Sequence, residues 1–240
     1  MIVNILTLFP EFFSSPLKTS LIDKAQKKGL LKINVINLRD FTRDRHRQCD
    51  DKPYGGGAGM VMMIEPIFKA LKAIKKKQKK NRVLFVSPQG TTLNDEQAQK
   101  LAKCSSLTLL CGHYEGVDNR VIEQYVDEEI SIGDYILTGG EIASLVILDA
   151  ISRYIPGFVQ KEESVYSDTF RENLLKYPQY TRPPVFKGFA VPRILLSGDH
   201  KKVKEFREKE RIRVTKKKRP DLYKKYIKKR CQSERANKGN

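Results

Sequence analysis

The sequence has no tryptophan, and its 240 residues include only three histidines and four cysteines. The cysteines lie far apart and form no C-x-x-C pair, while the histidines are too few to complete a zinc-binding spacing. This scarcity excludes a structural zinc site. Widely separated cysteines are typical of reduced thiols, so we expect a cytoplasmic protein.

Long apolar runs are also missing. The longest largely apolar stretch, Ile142–Leu148, is far shorter than the ~20 residues that span a membrane. The first residues lack the basic leader of a signal peptide and reach Pro10 and Glu11 almost at once. Apolar residues still make up 40% of the chain, which is enough for a core. We therefore expect a folded protein that is neither secreted nor bound to a membrane.

Acidic residues are outnumbered 28 to 46 by lysine and arginine, which gives a formal net charge of +18. Residues 201–240 hold 18 of the basic residues and 5 of the acidic ones. So dense a charge repels itself unless a polyanion is near, and a phosphate backbone is the natural counterpart. We expect this region to bind RNA, with Lys216, Lys217, Lys218 and Arg219 among the contacts. A second basic run, 72–82, is consistent either with a solvated helix face or with a binding surface.

Strands and helices alternate along the first two-thirds of the chain. The predicted strands are Ile2–Leu8, Leu31–Leu38, Arg82–Ser87, Leu107–Cys111 and Glu129–Ile132. The predicted helices are Ser20–Gly29, one that begins near Pro66, one with a capping box at Asn94–Gln97, Val117–Tyr125, and Ile142–Tyr154 with a capping box at Thr138–Glu141. This alternation predicts an α/β fold with a mostly parallel sheet and helices on both faces.

The pattern changes beyond Pro156 and Gly157. Residues 160–170 show no periodicity, several prolines follow, and the chain ends in two predicted basic helices, Lys201–Arg213 and Pro220–Arg230. We predict a first domain over residues 1–157, a linker over 158–172 and a small basic helical domain over 173–240.

Three glycine-containing loops follow predicted strands: Ser87–Gly90, Gly112–Gly116 and Gly133–Gly140. Ligands of parallel sheets bind at the carboxyl ends of the strands, so we expect these loops to form one site. Glycine lets the backbone approach a flat ligand closely, and no phosphate-binding fingerprint is present. A fourth glycine-rich loop, Gly55–Gly59, is consistent either with a flexible connector or with the site of a nucleotide-utilising transferase.

Tyr114 and Glu115, in the middle loop, combine a stacking surface with a hydrogen-bond acceptor. Such a pair suits an unstacked purine, because the ring stacks on the base while the carboxylate accepts from the exocyclic amine of guanine.

Five segments resemble the bacterial tRNA (guanine-N1)-methyltransferases of the TrmD family, in an order and spacing that hold from Ile2 to about Tyr223. These segments are Asp50–Met60, Ser87–Gly90, Cys111–Gly116, Ser131–Glu141 and Tyr180–Pro183. The resemblance implies a fold of the SPOUT class, in which a deep trefoil knot is formed, and a homodimer with active sites at the subunit interface. It also implies methylation of N1 of the guanosine at tRNA position 37, 3′ of the anticodon.

The resemblance further implies S-adenosyl-L-methionine as methyl donor and a dependence on magnesium, for which the sequence identifies no site. By position it assigns the cofactor to the three loops, and the residues concerned are Ser87, Pro88, Gly112, Ile132, Gly133, Asp134, Tyr135, Ile136, Leu137, Gly139 and Gly140. It assigns catalysis to Asp168 as general base and to Arg153 as its electrostatic partner. We expect Tyr114, Glu115 and Asp50 to contact RNA. The alternative is a non-catalytic basic RNA-binding protein.

Overall fold

The computed structural model describes residues 1–160 and 169–238, and the chain forms two compact units, Met1–Gln160 and Lys161–Asn240. The first unit is built on a five-stranded sheet. Its strands are β1 (Ile2–Thr7), β2 (Lys32–Asn37), β5 (Asn81–Thr92), β6 (Ser106–Cys111) and β7 (Glu128–Ser131), and a separate hairpin is formed by β3 (Asp50–Asp51) and β4 (Val61–Met62). The sheet has the order β2-β1-β6-β5-β7, and every neighbouring pair is parallel. The predicted mostly parallel sheet is confirmed.

Helices cover both faces of this sheet, as predicted. The helices of the first unit are α1 (Ser20–Lys27), α2 (Ile64–Lys77), α3 (Asp95–Leu101), α4 (Asn119–Tyr125) and α5 (Gly140–Ser152). One buried apolar cluster joins α1, α3 and α5 to the sheet, and a second joins α2 and α4 to its other face. β6, the middle strand, is buried along its whole length, as is typical of a parallel strand that is covered on both faces.

Strand β5 continues past the predicted end at Ser87 and reaches Thr92. Its pairing with β7 breaks between Val86 and Thr91 and then resumes, so the Ser87–Gly90 loop is a bulge within a long strand. A Cβ atom on Gly90 would lie 2.4 Å from the main chain of Glu129 and Ile130. The close approach of the two strands therefore requires glycine here.

Two predicted helix starts are wrong in detail, while a third is confirmed. The α3 capping box is present, with Asn94 and Gln97 each accepting from the other's backbone N–H. Helix α4 begins at Asn119 rather than Val117, because Asp118 accepts from the Arg120 N–H. Thr138–Glu141 forms no capping box: α5 begins at Gly140, its N-cap Gly139 makes no side-chain bond, and Glu141 contacts a neighbouring strand instead.

The second unit contains a short antiparallel pair and two long helices. The pair is formed by β8 (Val185–Phe186) and β9 (Phe189–Ala190), and the helices are α6 (His200–Lys218) and α7 (Pro220–Lys238). Both helices are longer than predicted. Thr215 anchors α6 within the unit, because its hydroxyl donates to the Arg211 carbonyl and accepts from the Leu175 N–H. Among the residues that the structure describes, no helix carries an apolar stretch that could span a bilayer.

Candidate active site

A cleft of about 400 Å³ opens at the carboxyl ends of β6 and β7 and beside the bulge of β5. Its walls come from the three loops singled out in the sequence, which the parallel sheet brings together at one edge. Ten of the eleven residues assigned above to the cofactor line it, and the exception is Asp134. The RNA-contact candidates Tyr114 and Glu115 line the same cleft.

Serine side chains fix two of the loops. The Ser131 hydroxyl accepts from the Gly133 N–H at 3.1 Å and lies at the same distance from the Gly133 carbonyl oxygen, so it closes a tight turn after β7. The φ of Gly133 is +149°, and a Cβ there would meet the Tyr135 ring at 2.4 Å. Ser87 likewise accepts from the Gln89 N–H at 3.2 Å. These turns leave the backbone of the cleft wall in a defined position.

The third wall depends on contact between main chains. The Gly140 N–H, at the start of α5, donates to the Gly112 carbonyl at 2.8 Å. A Cβ on Gly140 would lie 2.8 Å from the Cys111 Cα, and one on Gly112 would lie 3.0 Å from the Phe85 ring. The meeting of the two loops therefore requires glycine at position 140, whereas a side chain at position 112 would press on the Phe85 ring.

A buried carboxylate lies behind this contact. Glu141 is 5% exposed, and its Oε1 accepts from the Thr7 hydroxyl at 2.7 Å. A Cβ on Gly139 would lie 2.4 Å from Glu141 Oε2 and 2.7 Å from His113 Nδ1, so these two polar atoms face the same small space. Among the described residues, Nδ1 of His113 is buried without a hydrogen-bond partner, although the ring is held between Phe9 and Tyr114.

Sequence reasoning misses Thr7, His113 and Glu141 as parts of this wall. His113 lies within the Cys111–Gly116 segment, but its role depends on Phe9, which is more than a hundred residues away. The spacing of Glu141 from Thr138 suggests a capping residue instead. The one available signal is a carboxylate placed at the start of an otherwise apolar helix.

Tyr114 and Glu115 form the outer rim of the cleft. Tyr114 is 43% exposed and has a φ of +57°, a left-handed conformation that is unusual for a tyrosine. The Glu115 N–H donates to the Met60 carbonyl at 3.0 Å, which joins this rim to the β3–β4 hairpin. An exposed ring beside an exposed carboxylate can contact a base from solvent.

That hairpin carries Asp50 and the fourth glycine-rich loop. The loop between its two strands contains Gly55–Gly59, and a Cβ on Gly59 would lie 2.5 Å from the Glu115 side chain. The loop borders the rim, but it does not line the cleft itself. Asp50 therefore lies on a hairpin that adjoins the RNA-contact candidates, outside the cleft.

The described structure does not bring Arg153, one of the two proposed catalytic residues, to this cleft. Arg153 follows the last residue of α5, whereas Gly140 at the cleft is its first. A helix of 13 residues places these ends roughly 20 Å apart at 1.5 Å per residue. Arg153 is exposed and does not line the cleft. Asp168 lies outside the described residues.

The basic residues proposed to bind RNA lie where α6 ends and α7 begins. Lys216, Lys217 and Lys218 are exposed in the last turn of α6. Arg219 forms two hydrogen bonds to the Asp221 carboxylate, at 2.9 and 2.7 Å. These bonds lower the pKa of Asp221 to about 2. Since its guanidinium is already paired, Arg219 is less available to a phosphate than the three lysines.

A magnesium site does not emerge from these residues. Across residues 1–160 and 169–238, no three His, Cys, Asp or Glu side chains converge as metal ligands would. The four cysteines are all free thiols, and burial raises the pKa of Cys111, which lies beneath the cleft. We therefore assign no chemical step to a metal or to a thiol.

Comparison with known proteins identifies the family. The family model described as "tRNA (Guanine-1)-methyltransferase TrmD" matches residues 1–225. A protein of Endomicrobium trichonymphae named tRNA (guanine-N(1)-)-methyltransferase is 52% identical over 94% of this chain and 100% of its own length. Proteins of the same name from Carboxydothermus hydrogenoformans and Clostridium tetani are 54% and 50% identical, each over 93% of this chain and over 88% and 92% of their own lengths. The resemblance predicted from the five sequence segments is confirmed, and the chain belongs to the TrmD family of tRNA (guanine-1)-methyltransferases.

Proposed function

We propose that this protein transfers a methyl group from S-adenosyl-L-methionine to N1 of the guanosine at tRNA position 37, giving 1-methylguanosine. The observation that carries the proposal is the meeting of three glycine-containing loops around one cleft, in a chain of the TrmD family. The relatives are named for methylation of guanine N1 in tRNA. A non-catalytic RNA-binding protein would have no use for such a cleft.

The cleft residues fit the proposed methyl donor. The volume of the cleft, about 400 Å³, is in the range of small-molecule sites. The cleft wall presents glycine backbone that a flat adenine ring can approach closely. When bound, S-adenosylmethionine supplies the electrophilic methyl group. We assign its binding to the ten cleft-lining residues named above and give Asp134, which follows the Gly133 turn, a supporting role.

The proposed fold and assembly follow from the family. We propose that the parallel sheet closes on the trefoil knot of the SPOUT class, with residues 173–240 as the tRNA-binding domain beyond a linker. We also propose a homodimer that works in the cytoplasm. The exposed face of α5 supports an interface, because Ile142 and Val146 lie one turn apart and are 45% and 44% exposed.

A dimer would also account for the position of Arg153. This residue and the cleft lie at opposite ends of α5 in one chain, so we propose that Arg153 serves the cleft of the partner subunit. There its guanidinium would stabilise the negative charge that develops on the guanine carbonyl oxygen as N1 loses its proton. Tyr114 would stack on the extruded base, and Glu115 would accept from its exocyclic amine.

Removal of the N1 proton is the step that requires a base. Neutral guanine N1 is a poor nucleophile until this proton leaves, and a carboxylate within hydrogen-bond reach can accept it. We assign this role to Asp168 from the family resemblance. We propose magnesium as an activator without a site, and no step depends on it.

Methyl transfer from labelled S-adenosylmethionine to unmodified tRNA, followed by mapping of the labelled base, tests the proposal. We expect label on N1 of guanosine 37 alone. Asp168→Asn should lower turnover by about 10²- to 10⁴-fold, the usual cost of removing a general base, with unchanged cofactor binding by calorimetry. Near-normal turnover of this variant at saturating tRNA would remove Asp168 from the base role. Absence of any methylated product from the native protein would reject the function.

A further inference from the structure

A basic tract spans Lys72–Arg82, from the last turns of α2 to the start of β5. It contains seven cations in eleven residues and no carboxylate. All seven are exposed, whereas Ile74, the large apolar residue of the tract, is buried. The surface of the tract therefore consists of ammonium and guanidinium groups with almost no apolar side chains between them.

This tract dominates the charge of its unit. Residues 1–160 contain 22 lysines and arginines against 18 aspartates and glutamates. Without the seven cations of the tract, this part of the chain would carry more negative than positive charge. Arg82 is paired with Glu128 at 2.6 Å. Helix-dipole stabilisation explains the three lysines in the last turn of α2, but not Lys79 or Lys80, which lie beyond the helix.

The tract is remote from the cleft. Arg82 lies at the amino end of β5, and Ser87, which lines the cleft, is five residues further along the strand. At ~3.3 Å per residue, the two are roughly 16 Å apart. A helical nucleic-acid strand covers this distance in about five nucleotides at ~3.4 Å each. A polynucleotide with one base in the cleft is therefore long enough to pass over the tract.

We propose that the Lys72–Arg82 tract is a second phosphate-binding surface, which holds the tRNA backbone away from the target base. The proposal rests on the function proposed above, because that function supplies an RNA as the ligand. Closely spaced ammonium groups suit a sugar-phosphate backbone, because they bind phosphates whatever the base sequence. Each such contact also releases counterions from the nucleic acid. A lipid surface fits less well, because a membrane-bound helix needs a broad exposed apolar face and Ile74 is buried.

An aromatic pair borders the tract and fits the same ligand. The rings of Phe68 and Tyr125 lie 5.2 Å apart, and the Lys72 ammonium lies 5.7 Å from the Phe68 centroid. Tyr125 is 38% exposed. Tyr125 and the neighbouring cations are exposed at one edge of the α2–α4 face.

The test compares two variants with equal charge change. The first replaces Lys75, Lys76, Lys79 and Lys80 by glutamine. The control replaces Lys18, Lys24, Lys28 and Lys103 by glutamine, because these are exposed on the same unit but outside the tract. tRNA binding is measured across a salt series, and methyl transfer is measured at saturating and subsaturating tRNA.

We expect the tract variant to flatten the log–log salt slope by about 0.7 to 0.9 for each phosphate that it no longer neutralises, and the control to keep the native slope. The tract variant should raise KM for tRNA and leave kcat unchanged, because no reacting atom lies near it. Replacing the same four lysines by arginine should restore native binding. Equal slopes for the tract variant and the control would overturn the proposal, as would a loss of binding to phosphatidylglycerol vesicles without a loss of tRNA binding.

The two proposals fail in different ways. A native protein that binds tRNA but methylates no guanosine rejects the proposed function, whatever the slopes. A native protein that methylates guanosine 37 with equal slopes for both variants rejects only the second phosphate-binding surface.

Discussion

Gly140 shows how closely the site depends on single residues. Its missing side chain allows the first turn of α5 to touch the end of β6, where a Cβ would lie 2.8 Å from the Cys111 Cα and 2.9 Å from the Gly112 nitrogen. Both neighbours are main-chain atoms, so neither can rotate away. An added methyl group must therefore move one loop relative to the other.

We predict that Gly140→Ala loses about fivefold or more in affinity for S-adenosylmethionine while the sheet remains folded. Overpacking of this kind costs about 1–3 kcal/mol, and the displaced atoms belong to the cleft wall. Calorimetry measures the affinity, and circular dichroism checks the fold. Gly29→Ala is the control, because nothing lies within 4 Å of its Cβ position and its φ of +72° should cost only stability. Native affinity in Gly140→Ala would mean that this contact does not shape the site.

At the residue scale, the residues that line the cleft could be predicted from the sequence better than the residues that pack behind its wall. Glycines and serines that follow strands are visible in the sequence, and ten of the eleven proposed cofactor residues line one cleft. Thr7, His113 and Glu141 meet only through long-range packing, and local spacing suggests a different role for Glu141. The role of Arg153 follows from family resemblance, whereas its distance from the cleft follows from the predicted helix Ile142–Tyr154, which separates it from the Gly133–Gly140 loop.

At the scale of elements, the boundary of a helix or strand could be predicted where the residues that determine it are neighbours in the sequence. The capping box of α3 consists of Asn94 and Gln97 alone, so it could be predicted. The extension of β5 to Thr92 depends on β7, which pairs with Thr91 and Thr92 only after the bulge. Pro88 and Gly90 indicate the end of a strand when read by themselves. Pairing with a distant partner overrides that signal.

The exposed face of helix α5 can be tested as the dimer interface. Val146→Glu places a charge on the exposed face of α5, one turn from Ile142, where contact with a partner would bury the new carboxylate without a counterion. We expect sedimentation to show mainly monomer, and methyl transfer to fall in parallel. Ile227→Glu is the control, because Ile227 is similarly exposed on α7, outside this face. A dimeric and active Val146→Glu would place the interface elsewhere.

The lysines at the junction of α6 and α7 can be tested as a tRNA-binding site. Reversal of Lys216, Lys217 and Lys218 to glutamate should weaken tRNA binding and flatten its salt slope, by about 0.7 to 0.9 for each phosphate released from the protein. Arg219 is left unchanged because its reversal would also disrupt its pair with Asp221. S-adenosylmethionine binding, measured by calorimetry, should be unaffected. An unchanged slope would show that these lysines only face solvent.

At the scale of the whole molecule, the basic residues are concentrated in two segments of the chain. The cleft wall consists largely of glycine, serine and apolar residues, whereas the cations concentrate in the Lys72–Arg82 tract and in residues 201–240. Phosphate contacts position a nucleic acid, and contacts with bases select the target. We therefore expect salt to change the affinity for tRNA much more than the choice of guanosine. The net charge could be predicted from composition, but the distance of the Lys72–Arg82 tract from the cleft could not.

The length of α5 has a genetic consequence. If Arg153 of one subunit serves the cleft of the other, genes encoding Gly140→Ala and Arg153→Ala should each give low methyl transfer at subsaturating S-adenosylmethionine and should complement each other when co-expressed. Random pairing makes about half of the dimers mixed, and each has one intact site, so roughly a quarter of native activity should return. Two alleles damaged in the same wall, Gly140→Ala and Gly112→Ala, should not complement. Failure of the first pair to complement would show that each chain is self-sufficient.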